Sequence, residues 1–345
     1  MRIQPEGSAA TAFESRACGT AFGLALEVDP DIAIPGLPGA GAQGGAHGIG
    51  RPAAEAEVQA PAPRPPTHVR LSPRELRRRW SPARHAATLV RELRDGGTVL
   101  LAVEHSPAAG YLIQAPGLGR ILVAPDGSEL ICDPEPASTE WTILLPTQAL
   151  PLAATLRGFE VLHAAGVVAG DRAGLIAGAP GAGKSSLAAA LLHRGATLLS
   201  DDAVALELHD GELIAHPGAA LLHLREEERE RLSEHERASL GPPTTHHGKP
   251  RYHPRVTASP APFGALFLLE RSTHGPPVEH VEAVDPFALL ASTFNLSVRT
   301  PERLVRHLDL AAALAAAERV YRLRVQPGVN ATQLADRLHE RLLER

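Results

Sequence analysis

From Gly19 to Pro38 the chain carries one short apolar run, GLALEV, that ends in Pro- and Gly-rich turns, which predicts a single strand. Residues 39–66 are nearly all Ala, Gly and Pro with a few charges. They offer little apolar surface to bury, so they predict a flexible loop. From Ser72 the arginine-rich segment SPRELRRRWSPARHAATLVREL predicts a helix. Alternating runs follow, TVLLAVEH, GYLIQA, RILVAP and SELICDP, separated by Gly, Pro and Asp-Gly signals, and these predict a β meander. Residues 1–150 therefore read as a small β-rich N-terminal domain.

The pattern changes after Pro151, and residues 151–345 read as an α/β domain. Phe159–Ala169 is apolar and β-branched, Gly170-Asp171-Arg172 is a turn, and Ala173–Ala177 is a second buried strand. Good helix formers fill Ser185–His193, and Gly195 stands where a helix C-terminus would stop. Ala196–Ser200 predicts another strand, ending in Asp201-Asp202. The mixed-charge stretch Arg225–Arg237 predicts a solvated helix, and Asp285–Asn295, Thr300–Arg319 and Asn330–Arg345 predict further helices, with Pro301 at a first-turn position. Strand, loop and helix alternate as an α/β core requires.

Composition narrows the function classes. With 345 residues, 44% hydrophobic, the chain can build one sizeable core and a smaller second unit. The net charge of −5, with acids and bases interspersed, argues against a nucleic-acid binder. The two cysteines, Cys18 and Cys132, form neither a disulfide framework nor a C-x-x-C pair. No apolar run approaches the roughly 18 residues of a membrane span, and no export signal is read at the N-terminus. These features predict a soluble, cytoplasmic protein without a membrane partner. Of the 34 basic residues only Lys184 and Lys249 are lysines, so each survivor is a candidate for a task that arginine cannot do.

One motif carries chemistry. Gly178-Ala179-Pro180-Gly181-Ala182-Gly183-Lys184-Ser185 matches G-x-x-x-x-G-K-[S/T], and it lies between a predicted strand and a predicted helix as a P-loop must. Glycines let successive backbone N–H groups face the phosphates, and the helix N-terminus adds partial positive charge. Lys184 is expected at the β and γ phosphates and Ser185 on Mg²⁺, with Ser186 completing the nucleotide-binding set. The expected nucleotide is ATP, with GTP as the alternative. Asp201-Asp202 follow at the end of the next strand, which is expected to run beside the P-loop strand. The alternative for the pair is a turn cap.

At these residues the chain resembles a known family. The stretch LHAAGVVAGDRAGLIAGAPGAGKSSLAAALLHRGATLLSDDAVAL, residues 162–206, is similar to the core of HPr kinase/phosphorylase and the HPr-kinase-like serine kinases, whose fold is shared with phosphoenolpyruvate carboxykinases. That family places a His before a hairpin, a P-loop on the return strand, one helix, and an Asp-Asp pair on the next strand. Weaker similarity, in GLALEVDPDIAIPGL, Gly248-Lys249-Pro250-Arg251 and FGALFLLER, is to HPr-kinase-like proteins of peptide-modification systems, including lasso-peptide maturation. The Gly-rich signature that follows the Asp pair in true HPr kinase/phosphorylases is missing.

The resemblance implies a γ-phosphoryl transfer to a hydroxyl, expected to be a serine of a peptide or protein. It implies His163 near the γ-phosphate or the incoming hydroxyl, Asp201 activating the hydroxyl, Ser185 and Asp202 holding Mg²⁺, and a homo-oligomeric assembly. Lys249 and Arg251, in the loop PPTTHHGKPRYHPR, are candidates for a mobile substrate or nucleotide loop. His246, His247 and His253 lack a carboxylate or Cys to complete a familiar ligand spacing, and Arg77-Arg78-Arg79 beside Trp80 read as a solvated helix face. The competing readings are a non-catalytic nucleotide-binding partner in a peptide-maturation assembly and a phosphoenolpyruvate-carboxykinase-like lyase.

Overall fold

The structure, a computed structural model, describes residues 16–37, 64–230, 232–246, 249–254, 256–281, 289, 292–326 and 331–344. Most of the expected loop at 39–66 and most of the expected helix at 285–295 lie outside the described residues.

The architecture is mixed α/β with several sheets. The first sheet comprises β1 (Arg16–Ala21), β2 (Leu24–Val28), β3 (Thr67–Leu71), β4 (Thr88–Asp95), β5 (Thr98–Ser106), β6 (Gly110–Ala115), β7 (Gly119–Val123) and β8 (Glu129–Pro134). Their order is β1-β2-β3-β8-β7-β6-β5-β4, an antiparallel meander from β4 to β8 joined through the parallel strand β3 to the β1–β2 hairpin. The GLALEV run is thus the second arm of a hairpin rather than a lone strand. Phe22 (φ 55°) and Gly23 (φ 78°) make its turn.

Helix α1 (Pro73–Ala83) is shorter than the sequence predicts. Pro82 sits in its last turn, and the alternating, β-branched Thr88–Val90 stretch pairs with β5 instead. Its arginines form the expected solvated face: Arg78 and Arg79 both pair with Glu75, and Arg79 also with Glu129.

The second unit runs α2 (Leu150–Leu156), β9 (Glu160–Leu162), β10 (Ala164–Ala169), β11 (Arg172–Gly178), α3 (Lys184–Leu192), β12 (Thr197–Ser200), β13 (Val204–His209) and β14 (Glu212–His216). There follow β15 (Leu222–His223), α4 (Glu226–Glu230), α5 (Glu234–Ser239), β16 (Thr244–His246), β17 (Lys249–Tyr252), β18 (Ala261–Arg271), β19 (Val278–His280), α6 (Pro301–Ala316), β20 (Val320–Val325) and α7 (Ala331–Leu343). Among the described residues a nine-stranded sheet has the path β12-β10-β11-β18-β14-β13-β9, with β20 and β19 extending from β18, and β15-β17-β16 form a small third sheet.

The sequence explains this layering. Along β11, Leu175 and Ala177 face a cluster with Leu310 and Leu314 of α6, whereas Ile176 faces a cluster with Leu187 of α3 and Leu338 of α7. Both faces are covered, which is why the strand reads as a continuous apolar run rather than an alternation. Helix α6 starts where Thr300 accepts from the Arg303 amide at 3.2 Å with Pro301 behind it, and α5 opens on a Ser233/Glu236 capping box.

The two large sheets share apolar material: one cluster includes Leu26 and Val103 of the first and Val161 and Ala205 of the second. Phe159 is fully buried in it, edge-on to His216 at 5.0 Å, under the Arg64 guanidinium at 4.3 Å, and against Gly23, where a Cβ would meet the ring at 2.3 Å. Phe159→Ala should therefore cost about 3–5 kcal/mol. The check is the urea midpoint, with near-wild-type stability as the contrary result.

Candidate phosphate-binding site

The segment that carries the P-loop motif is the connection from β11 to α3. Strand β18 runs parallel beside β11, with Gly178 opposite Leu269, and β20 runs parallel beside β18, so three strands end at one edge of the sheet. The loop bends there at Gly181 (φ 76°) and Gly183 (φ 108°), left-handed positions that disfavour any side chain. Gly183 is the N-cap of α3 and supplies no capping side chain, so the first amides of the helix are left for an anion.

Strand β12 pairs with β10, not with β11 as the sequence suggested. The β10–β11 connection is a tight hairpin, which fills the position next to β11 and puts β12 one strand further out. Both pairings are antiparallel, so β12 still points the same way as β11 and delivers Asp201-Asp202 to the same edge.

Five of the expected groups meet there. The Lys184 ammonium donates to the Gly178 carbonyl at 3.0 Å and lies 3.2 Å from His163 Nε2 and 3.4 Å from the Ala179 carbonyl. The ammonium has only donors, so Nε2 accepts and Nδ1–H donates to the Asp202 carbonyl at 2.9 Å. That tautomer is neutral. Burial first, then the Lys184 charge, hold the His163 pKa below its usual value, and burial also lowers that of Lys184. His163 thus bridges Lys184 and the Asp202 carbonyl, and it secures Asp202, whose φ of 67° is unusual outside glycine.

The Ser185 hydroxyl donates to Asp201, 3.0 and 3.1 Å from its two oxygens, and the His223 amide donates to the same carboxylate at 3.0 Å. The structure therefore pairs Ser185 with Asp201, where the sequence-based assignment had put Ser185 with Asp202. Burial, then the adjacent Asp202 charge, push the Asp201 pKa up to about 7, against the His223 and Ser185 hydrogen bonds that lower it. Raised above its unfolded value, this group stabilises the metal-free fold most at low pH and loses that contribution as pH rises towards 7. Asp201→Asn should accordingly melt higher than wild type above pH 7 without divalent metal, with the gap closing towards pH 4. A gap independent of pH in thermal scans would contradict this.

Arg251 joins the site because β15 and β17 pair His223 with Arg251. It lines a pocket of about 10 Å³, room for one water, with Pro146, Thr147, Asp201, Asp202 and Leu221. Burial lowers its pKa against the pull of Asp202 and Asp201, and its Nε is buried without a hydrogen-bond partner among the described residues. Lys249 enters β17 by its backbone, and its side chain lies outside the described residues, as do His247 and Gly248. His253 bonds to the Thr244 hydroxyl at 2.8 Å, and no metal-type cluster of His, Cys, Asp and Glu occurs among the described residues.

On the other flank of the loop lies a cavity of about 670 Å³, within the range of small-ligand sites. Gly181, Ala182, Gly183 and Ser186 form one wall, Leu224 and Arg225 another, and the ends of β18 and β20 with the start of α7 close it. The Ser186 hydroxyl is buried without a hydrogen-bond partner among the described residues, an orphan that a phosphate oxygen would satisfy. Arg271 donates to the Gly181 carbonyl at 3.1 Å, and Arg225 Nη2 lies 2.7 Å from where a Gly181 Cβ would stand. Sequence reasoning missed both arginines. Arg271 ends a strand parallel to the P-loop strand, which was a usable signal, whereas Arg225 opens a mixed-charge stretch that looks like any solvated helix.

A comparison with protein-family models found no match, and a comparison with curated proteins found none. Among solved structures the chain is similar to the HPr(Ser) kinase/phosphatase from Coxiella burnetii, at 15% identity over 53% of this chain and 93% of that one, with a TM-score of 0.28. This is a weak likeness at the level of the fold. No described helix is long and apolar enough to cross a membrane.

Proposed function

We propose that the chain is a nucleotide-dependent kinase that moves the γ-phosphoryl group of ATP or GTP to a hydroxyl, with residues 151–345 as the kinase domain and 1–150 as a β-rich N-terminal domain. The observation that carries this reading is the convergence of Lys184, Ser185, Asp201, Asp202 and His163 on one sheet edge, beside an uncapped helix N-terminus. A non-catalytic binder needs the loop but not two carboxylates and a neutral histidine arranged around its lysine.

In this reading the loop N–H groups between Gly178 and Gly183, all but that of Pro180, which has none, cradle the phosphates, Ser186 meets a phosphate oxygen, and the 670 Å³ cavity takes the nucleoside. Lys184 leaves the Gly178 carbonyl for the β and γ oxygens. The donor set of Ser185 hydroxyl and Asp201 carboxylate, both oxygen and already in contact, fits Mg²⁺. When bound, the ion neutralises charge on the β and γ phosphates. Asp201 is accordingly taken as the metal ligand and Asp202 as the base, the reverse of the assignment that the resemblance implied. Asp202 takes the acceptor's proton, the freed oxygen bonds to the γ phosphorus, and the bond from that phosphorus to the β–γ bridging oxygen breaks, leaving the diphosphate. His163 orients Asp202 and Lys184 rather than transferring a proton itself.

The test is incubation with γ-labelled nucleotide, Mg²⁺ and candidate hydroxyl peptides. Transfer of label to a peptide serine supports the reading. Label released only as inorganic phosphate across a broad peptide panel counts against it.

A further inference from the structure

Strand β4 is the free edge of the eight-stranded sheet: β5 pairs with one side, and no described strand pairs with the other. Such an edge presents unpaired N–H and C=O groups and can take an extended segment as an added strand. Every residue of β4 except Val90 is exposed. Leu89 and Leu93 on β4 and Leu100 on β5 are 56%, 49% and 46% exposed, leucines on both faces beside that edge. Arg91, Glu92, Arg94 and Asp95 add charge along the same strand, which restricts what can pair there.

Arg91 ties this edge to the phosphate site. It stands opposite Val103, which belongs to the core shared by the two sheets, so it points to the same side. Its guanidinium lies 5.9 Å from the Phe294 ring centre and donates to the Gln148 amide oxygen at 3.2 Å. Phe294 is in turn 6.1 Å from the His163 ring. Pro146 and Thr147, next to Gln148, line the small pocket with Asp202 and Arg251. Among the described residues no carboxylate pairs with Arg91, and the Arg251 Nε has no hydrogen-bond partner. Two guanidinium groups therefore adjoin the same short segment, 146–148: Arg251 faces the Asp201 and Asp202 carboxylates, whereas Arg91 has no carboxylate partner among the described residues.

We propose that the acceptor is an extended acidic peptide, which adds as a strand to the free edge of β4 and holds a carboxylate near its hydroxyl residue against Arg91. The inference rests on the kinase reading and adds the acceptor's class to it. Arg91 lies 5.9 Å from the Phe294 ring centre, Phe294 lies 6.1 Å from the His163 ring, and His163 meets the Asp202 carbonyl at 2.9 Å, a chain of contacts that a handful of extended residues spans. Backbone pairing supplies the affinity and Arg91 the selectivity, the division of labour usual in strand addition.

The experiment uses the full chain and three serine peptides: one with Glu on both sides of the serine and an amidated C-terminus, its Gln counterpart, and the Gln peptide with a free C-terminal carboxylate. Binding is read by fluorescence anisotropy and phosphorylation by kcat/KM. The Glu peptide, or the free-acid peptide if the terminal carboxylate is the one held, should exceed the amidated Gln peptide by about tenfold or more in both readouts. Arg91→Glu should reverse the order in favour of a Lys-flanked peptide, and N-methylation of alternate peptide amides should weaken binding by a similar factor. Phosphorylation of all peptides at equal efficiency overturns this inference and leaves the kinase reading standing. Carboxylate-dependent binding that Arg91→Glu reverses, without phosphorylation of any peptide, supports the docking site and counts against the kinase reading. Equal binding with no phosphorylation contradicts both.

Discussion

Lys184→Met should abolish nucleotide turnover while leaving the fold intact. The ammonium lies at the closed end of the loop, 6% exposed, held by the Gly178 carbonyl and by His163 Nε2. Burial already lowers its pKa, so the charge is retained at a cost to stability and not for packing. Methionine fills a similar volume without the charge, and the melting temperature should stay level or rise slightly. Turnover should fall by roughly 10²–10³ or more, the scale of losing one preorganised donor to developing phosphate charge. Lys184→Arg should fail as well, because a planar fork does not fit where a compact ammonium makes three close contacts. Turnover at the wild-type rate in Lys184→Met would remove the P-loop assignment altogether.

The second large effect separates the two aspartates. Asp201→Asn should weaken Mg²⁺-dependent nucleotide binding, because Asp201 is the carboxylate that Ser185 touches. Asp202→Asn should bind Mg²⁺ and nucleotide normally and lose transfer by about 10²–10⁴-fold, the usual worth of a general base. Its backbone geometry should survive, since asparagine tolerates the left-handed region as well as aspartate does. Titrating Mg²⁺ and nucleotide into each variant decides between the roles. The opposite pattern would restore Asp201 as base and Asp202 as metal ligand.

The proposed phosphate site was readable in the sequence because its contacts are local or motif-bound. Fixed spacing delivered the loop, and the strand–helix–strand order around it predicted that Asp201 and Asp202 would arrive at the same edge. The strand neighbour was misread because a sequence does not say that the hairpin partner β10 already occupies the place beside β11. The pairing of Ser185 with Asp201 was likewise invisible: adjacent residues at a strand end point in different directions, and only the turn after β12, with Asp202 left-handed, decides which one faces the loop. In the first sheet, the period-2 runs between Thr98 and Pro134 were legible as strands, whereas Thr88–Leu93 was absorbed into a helix by its arginine and leucines. Its strand state comes from pairing with β5, a tertiary contact that overrides local propensity.

The most direct measurement of the central claim is a crystal structure with Mg²⁺ and a non-hydrolysable nucleoside triphosphate. The expected result has the phosphates on the Gly178–Gly183 amides, Lys184 moved from the Gly178 carbonyl onto the β and γ oxygens, and the nucleoside in the cavity lined by Ser186 and Arg225. The metal should sit between Ser185 and Asp201, with Asp202 facing the acceptor side. A triphosphate bound elsewhere, or an ordered complex that leaves Lys184 on the Gly178 carbonyl, would contradict it.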